Sequence, residues 1–168
     1  MNTLPVRPDA GRAMQAYGDL LFRICCLLLD STGDAEDAVQ ETFLQYVRSA
    51  PDFTGPDHER AWLITVAKNK CRDQLRARAR HPQISLDTLA EQSAVSAFGS
   101  DVLDALMTLP PKFRLVLILH YVEGYTTGEI AQIIQKTPSA VKMRLFKGRK
   151  LLEEALTKGE IVPCRIEN

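Results

Sequence analysis

The sequence predicts an all-α protein made of two small helical domains, and three observations carry that prediction. Apolar residues recur at helical spacing through most of the chain. Period-two alternation and Asn-Gly or Asp-Gly hairpin dipeptides are absent. Near the middle, a stretch of roughly 20 residues loses all periodicity, which is uncommon inside one compact domain. The 168 residues, 45% hydrophobic and 25% charged, suit one ordinary domain or two small ones. Such a composition excludes wholesale disorder.

The first helix is expected from about residue 10 to 30, where Tyr17, Leu21, Ile24 and Leu28 form a stripe. A second starts near Asp34, with acids in its first turn where the helix dipole favours them. Its stripe is read as Val39, Phe43 and Val47. After the loop SAPDFTGPDHER, punctuated by two prolines and a glycine, a third helix runs from about 59 to 79 on Leu63, Ala67, Cys71 and Leu75. The aperiodic stretch HPQISLDTLAEQSAVSAFGS then reads as a linker. The domains are therefore placed at residues 10–80 and 101–158, with the linker at 81–100.

In the second domain, Val102, Leu103, Leu106 and Met107 form a short helix stopped by Leu109-Pro110-Pro111. Phe113, Val116, Leu117, His120 and Tyr121 carry the next, up to Glu123-Gly124. Thr126-Thr127-Gly128-Glu129 is a capping-box pattern opening a helix with Ile130, Ile133 and Ile134. Gln135 and Lys136 make a turn, and Thr137 caps a last helix that begins at Pro138. Two short helices joined by a tight turn make a helix-turn-helix.

Charge is balanced overall, 21 basic residues against 21 acidic, but its distribution is uneven. Residues 1–60 hold ten acids against five arginines, whereas residues 62–82 hold six basic residues against one acid, Asp73. From Lys136 to Lys150 the chain carries six cations and no acid. Two cationic patches and one anionic patch point to more than one kind of partner.

Projected at 100° per residue, the last helix turns Val141, Leu145, Gly148 and Leu152 to the core. Ser139, Met143, Phe146 and Lys150 point the other way, flanked by Lys142 and Lys147. Outward Met and Phe among lysines suit a helix in a DNA major groove, with cations for phosphates and apolar groups for thymine methyls. A solvated basic helix with Phe146 folded back onto its own domain is the alternative. On the third helix, Trp62, Val66, Asn69, Asp73, Arg76 and Arg80 share a row that can stack on bases, bond their edges and hold phosphates. Here the alternative puts Trp62 and Val66 in the core. On the second helix, Asp37, Glu41, Leu44 and Arg48 form a mixed acidic and apolar outer face, either a docking surface or simply solvated.

Other classes find little support. His58, His81 and His120 are scattered, and no metal spacing, nucleophile motif or Gly-rich phosphate loop accompanies them. No enzyme and no cofactor are expected. Cys25, Cys26, Cys71 and Cys164 lack ligand spacing and read as reduced, mostly buried thiols. No apolar run is long enough to span a membrane, and MNTLPVRPDAGRA lacks a signal-peptide core, so a cytoplasmic location is expected. A plain helix-turn-helix regulator with a sensing first domain would explain residues 126–150 but leave the other basic helix idle.

Three segments together, DAEDAVQETFLQYV, ERAWLITVAKNKCRDQLRARAR and LPPKFRLVLILHYVEGYTTGEIAQIIQKTPSAVKMRLFKGRKLL, closely resemble the bacterial extracytoplasmic-function (ECF) sigma factors over residues 13 to 157. The resemblance implies two conserved domains: region 2, a bundle of three to four helices, and region 4, a helix-turn-helix. It implies a factor that binds core RNA polymerase and directs it to a promoter class. Asp37, Gln40 and Glu41 would dock on the polymerase clamp helices. Asn69, with Arg76 and Arg80 in its row, would face the single-stranded −10 element, and the loop from Ser49 to His58 would capture a flipped base. Ser139, Lys142, Met143, Arg144, Phe146 and Lys147 would lie nearest the −35 duplex. An anti-sigma factor is a further expected partner. Met143 stands where the family often has a small polar residue, and Lys70 and Cys71 where more apolar residues are common.

Overall fold

A computed structural model describes residues 8–81 and 100–158. All its regular elements are helical: α1 (Ala10–Leu29), α2 (Thr32–Ser49), α3 (Pro56–Arg80), α4 (Ser100–Thr108), α5 (Pro111–Leu117), α6 (Thr127–Ile134) and α7 (Pro138–Lys158). The expected linker, apart from His81 and Ser100, lies outside the described residues, as do the N-terminal segment and Cys164.

Helices α1 to α3 form the first bundle. Asp9 caps α1 by accepting from the Arg12 N–H (3.1 Å), and Ser31 caps α2 by accepting from Asp34. Pro56 opens α3, followed by Asp57 and Glu59 in its first turn. The predicted stripes of α1 and α3 are largely buried, but the α2 stripe is corrected. Its buried face is Ala35, Ala38, Thr42, Phe43 and Tyr46, while Val47 is 69% exposed. Small alanines and Thr42, whose hydroxyl bonds the Ala38 carbonyl, let α2 approach its neighbours closely. The strictly apolar pattern misses that face.

A polar triad centred on a buried carboxylate fastens these three helices. Glu59 is wholly buried and receives Arg12 Nη2 on both carboxylate oxygens (2.6 and 2.7 Å) and the Tyr46 hydroxyl on Oε1 (2.5 Å). The Tyr46 oxygen in turn accepts from the Asp9 N–H at 3.1 Å. Beside it, Tyr46 stacks on Phe53, and Trp62 meets both rings edge-on at 5.9–6.0 Å. Phe53 is fully buried and pins the loop between α2 and α3.

In the second half, the capping box of α6 is present in both directions, with Glu129 accepting from the Thr126 N–H and Thr126 from the Glu129 N–H. These Thr126 bonds also hold the Glu129 carboxyl below its ordinary range. Thr137 caps α7 through the Ala140 N–H. The α5 helix continues into one π-turn, Ile118–Val122, which shifts the phase of its face. Tyr121, expected in the core stripe, is consequently 55% exposed and accepts from Arg149 at 2.8 Å. Gly124 closes this segment at φ 74°, a left-handed conformation that favours glycine.

The two halves share one continuous apolar core. Helix α3 packs on α6 and α1 on α5. Arg114, only 6% exposed, joins them by donating to Leu27 O of α1 (2.7 Å), Met107 O (2.9 Å) and Leu109 O (2.8 Å). Helix α1 has no basic residue in its own last turn; arginines from elsewhere serve its negative end, Arg114 at Leu27 and Arg78 at the Leu29 carbonyl. Arg23 pairs with Glu123 at 3.0 Å, and Arg60 lies 4.7 Å from the centre of the Tyr125 ring.

Burial pushes the phenols of Tyr46 and Tyr125 up to about 12. An unfolded tyrosine ionises near 10, so above that pH the unfolded chain holds fewer protons than the native one. Stability from these groups is present below about pH 10 and declines by about 1.4 kcal/mol per pH unit for each as pH rises toward 12. Urea unfolding between pH 9.5 and 11.5 should show this loss, with a shallower slope for Tyr125→Phe. An unchanged slope would refute the assignment.

Candidate nucleic-acid and polymerase interfaces

Three surfaces are built on this frame. On α7, Val141, Leu145 and Gly148 are buried, and Gly148 is so close to Leu117 that an added Cβ would lie 3.3 Å from its side chain. This contact fixes the rotation of α7. Ser139, Lys142, Met143, Phe146, Lys147 and Lys150 are then all exposed, with Met143 at 54% and Phe146 at 61%. Phe146 is exposed rather than folded back onto its own domain. Arg144 separates from this group: it is half-buried and lines the cleft facing α3. Its position on the helix, about 100° from Met143, turns it toward the first bundle.

On α3, Trp62 and Val66 belong to the core side, through the aromatic cluster and through burial respectively. Asn69 is half-buried, while Asp73, Arg76 and Arg80 are exposed. The nearby loop is ordered by Phe53 within and by the Thr54 N–H, which donates to His58 Nδ1 at 3.2 Å. Exposed Asp52 and Thr54 flank the buried Phe53.

On α2, Asp37, Gln40, Glu41 and Arg48 are exposed together with Leu44 (53%) and Val47. The misread Val47 thus enlarges the apolar centre of the acidic outer face. Lys70, one of the departures from the family pattern, pairs with Glu41 at 3.6 Å. The sequence reading missed Arg114 as well. Its signal was available: it is the one charge in the apolar run FRLVLIL.

Comparison with known proteins places the chain in a family. The model of the sigma-70 region 2 family matches residues 13–81, and that of sigma-70 region 4 matches residues 100–152. The RNA polymerase sigma factor CarQ of Myxococcus xanthus is 33% identical, over 78% of this chain and 79% of CarQ. The chain belongs to the ECF RNA polymerase sigma factors. It is accordingly a transcription initiation factor rather than an enzyme.

The ECF sigma factor SigE of Mycolicibacterium smegmatis is 28% identical over 90% of this sigma factor, which spans 63% of SigE's length. Among solved structures, RpoE in complex with the anti-sigma factor NepR, from Bartonella quintana, superposes with a TM-score of 0.72 at 26% identity. That match covers 91% of this chain and 99% of RpoE. In family terms, α1 to α3 lie in region 2, and α4 to α7 in region 4, with the last six described residues, including Lys158, just beyond the match. No helix among the described residues is long and apolar enough to cross a membrane.

Proposed function

We propose that this sigma factor binds core RNA polymerase through the outer face of α2 and reads one promoter in two states. In this reading Asp37, Gln40 and Glu41 contact the clamp helices, with Leu44 and Val47 between them. Helix α7 enters the major groove of the −35 duplex with Ser139, Lys142, Met143, Phe146 and Lys147, and Arg144 reaches the backbone once the cleft opens. Asn69, Arg76 and Arg80, with the loop 49–58, hold the unpaired −10 strand. The observation that carries the reading is the pair Met143 and Phe146, exposed among lysines on the second helix of a helix-turn-helix, in a chain that presents a second cationic row on α3.

The mechanism is one of binding energy. Melting duplex DNA costs about 1.4 kcal/mol per base-pair step. Stacking an unpaired base on a protein side chain returns ~1–3 kcal/mol. Trapping a few bases therefore stabilises an open state while polymerase performs the chemistry. Each half binds promoter weakly alone, and connection through the chain and polymerase supplies effective concentration.

Opening of the two halves is part of this reading. Elements at −35 and −10 lie roughly 25 base pairs apart, ~85 Å along B-DNA. A compact chain of this size is only ~40 Å across. The residues between His81 and Ser100 can span up to ~60 Å when extended, which permits the separation. An anti-sigma factor, as in the RpoE–NepR complex, would be a partner of the same surfaces, and the site of action would be the cytoplasm.

Phe146→Ala and Lys142→Ala are expected to weaken −35 protection roughly tenfold each, as loss of a groove contact worth ~1–3 kcal/mol requires. Asn69→Ala should leave −35 protection intact and lower open-complex yield. DNase footprinting and permanganate reactivity of the polymerase complex measure the two effects separately. Unchanged footprints and yields in all three variants would contradict the assignment.

A further inference from the structure

The cleft between the two halves holds an open pocket of about 240 Å³ lined by cations above an apolar floor. Its walls carry Lys68 and Arg72 from α3, Lys112 from α5, Lys136 from the helix-turn-helix turn and Arg144 from α7, with no carboxylate among the described residues. Its floor is apolar, formed by Leu28, Leu75, Leu115 and Ile134 with Cys71.

Five cations from both halves line the cleft and repel one another, and no carboxylate among the described residues lies in that lining to neutralise them. Arg72 approaches Asp73 at 3.8 Å, but both are well exposed and the pair is weak. Lys68 donates to the Ile133 carbonyl at 3.4 Å, which satisfies one of its three donors and no charge. Its ammonium is held below the ordinary lysine range by burial, then by Arg72, Arg144 and Lys136, in accord with cations facing each other across the cleft. A low-dielectric cleft lined by one sign of charge focuses potential on its centre. Convergent Arg and Lys donors match phosphate oxygens.

We propose that this cleft is a binding site for a small organic polyphosphate. Two or more phosphates would bridge Lys68 and Arg72 on one side and Lys136 and Arg144 on the other, and an apolar or aromatic body would lie on Leu28, Leu75 and Leu115. Because the cations come from both halves, the ligand binds the closed arrangement and holds it shut. The site itself does not depend on the promoter-reading proposal. Its regulatory consequence does, since a chain held closed cannot reach two separated DNA elements.

The test uses the full-length chain without polymerase or DNA, so it stays separable from failure of the transcription assay. Titration calorimetry would compare ATP, AMP, inorganic tripolyphosphate and sodium sulfate at constant ionic strength. Distances between spin labels on α3 and α7 would report closure. The expected result is saturable 1:1 binding of ATP, at least tenfold tighter than AMP, with a narrowed α3–α7 distance distribution. ATP binding tighter than tripolyphosphate would establish the role of the apolar floor, and tripolyphosphate binding as well as ATP would overturn that role. Arg144→Met and Lys136→Met should each weaken binding roughly tenfold, the loss expected for one charge-assisted contact. Lys158→Met, which removes an exposed cation ~21 Å further along α7, should not. Non-saturable binding, sulfate equal to ATP, or an equal loss in Lys158→Met would overturn the site in favour of diffuse attraction to a basic surface. A single-stranded oligonucleotide that binds more tightly than ATP, with the same dependence on Arg144 and Lys136, would overturn it in favour of a nucleic-acid channel.

Discussion

Arg114→Met is expected to destabilise the chain by about 3–5 kcal/mol, the range for breaking a buried charged network. The guanidinium satisfies the carbonyls of Leu27, Met107 and Leu109, which methionine leaves buried and unpaired. The loss should also uncouple the halves, because Leu27 belongs to α1 and the other two to α4 and the turn that follows it. Burial lowers the Arg114 pKa, with Asp30 acting against it, yet an arginine stays charged, so its bonds to helix-end carbonyls offset the loss of water. Urea unfolding followed by both Trp62 fluorescence, for the first half, and far-UV circular dichroism should change from one coincident transition to two. Arg114→Lys should recover only part of the stability, since an ammonium cannot span three carbonyls from two helices. A loss under about 1 kcal/mol with coincident transitions would refute this role.

Glu59→Ala is the second large effect, expected to cost roughly 3 kcal/mol, at the low end for a buried pair because Arg12 is 42% exposed and regains water. The Tyr46 hydroxyl, buried against the lost carboxylate, cannot regain it. Tyr46 stacks on Phe53, so the damage should spread to the loop before α3 and appear as faster amide exchange at 50–55. Glu59→Gln keeps the shape and one acceptor oxygen and should cost less. Equal stability of Glu59→Ala and the parent would show that the triad does not fasten the bundle.

These two residues also mark what sequence reading left out. Glu59 looks like an ordinary acid in a helix first turn, where the dipole already explains it. Only the arrangement of α1 and α2 buries it and brings Arg12 and Tyr46 to it. Arg114 sits in an apolar run whose period is legible, but its acceptors lie 87 positions away for Leu27 and 5 to 7 for the others. Local pattern cannot predict long-range pairing, and the packing of the two halves follows from such contacts.

By contrast, the helix-turn-helix was legible almost to the residue, because its determinants are local. Thr126, Glu129, Thr137 and Pro138 are caps whose partners lie within a few positions. The face of α7 followed from period alone, since α7 is a regular helix from Pro138 to Lys158. Arg144 is the exception: a cation on a DNA-reading helix was legible, its place in the cleft was not. Helix α2 was found, but its rotation was misjudged through Val47, since alanines and a threonine form its buried face. Tyr121 was displaced by a π-turn, whose extra residue per turn leaves no clear mark in the apolar period.

The central claim, that this sigma factor works clasped to core RNA polymerase, is tested most directly by measuring the affinity of the purified chain for core enzyme. The account predicts a 1:1 complex that starts transcripts at one discrete position on its promoter, and at least tenfold weaker binding when Asp37 and Glu41 are both replaced by Lys. No measurable complex with core enzyme, or an affinity indifferent to that reversal of charge, would contradict it.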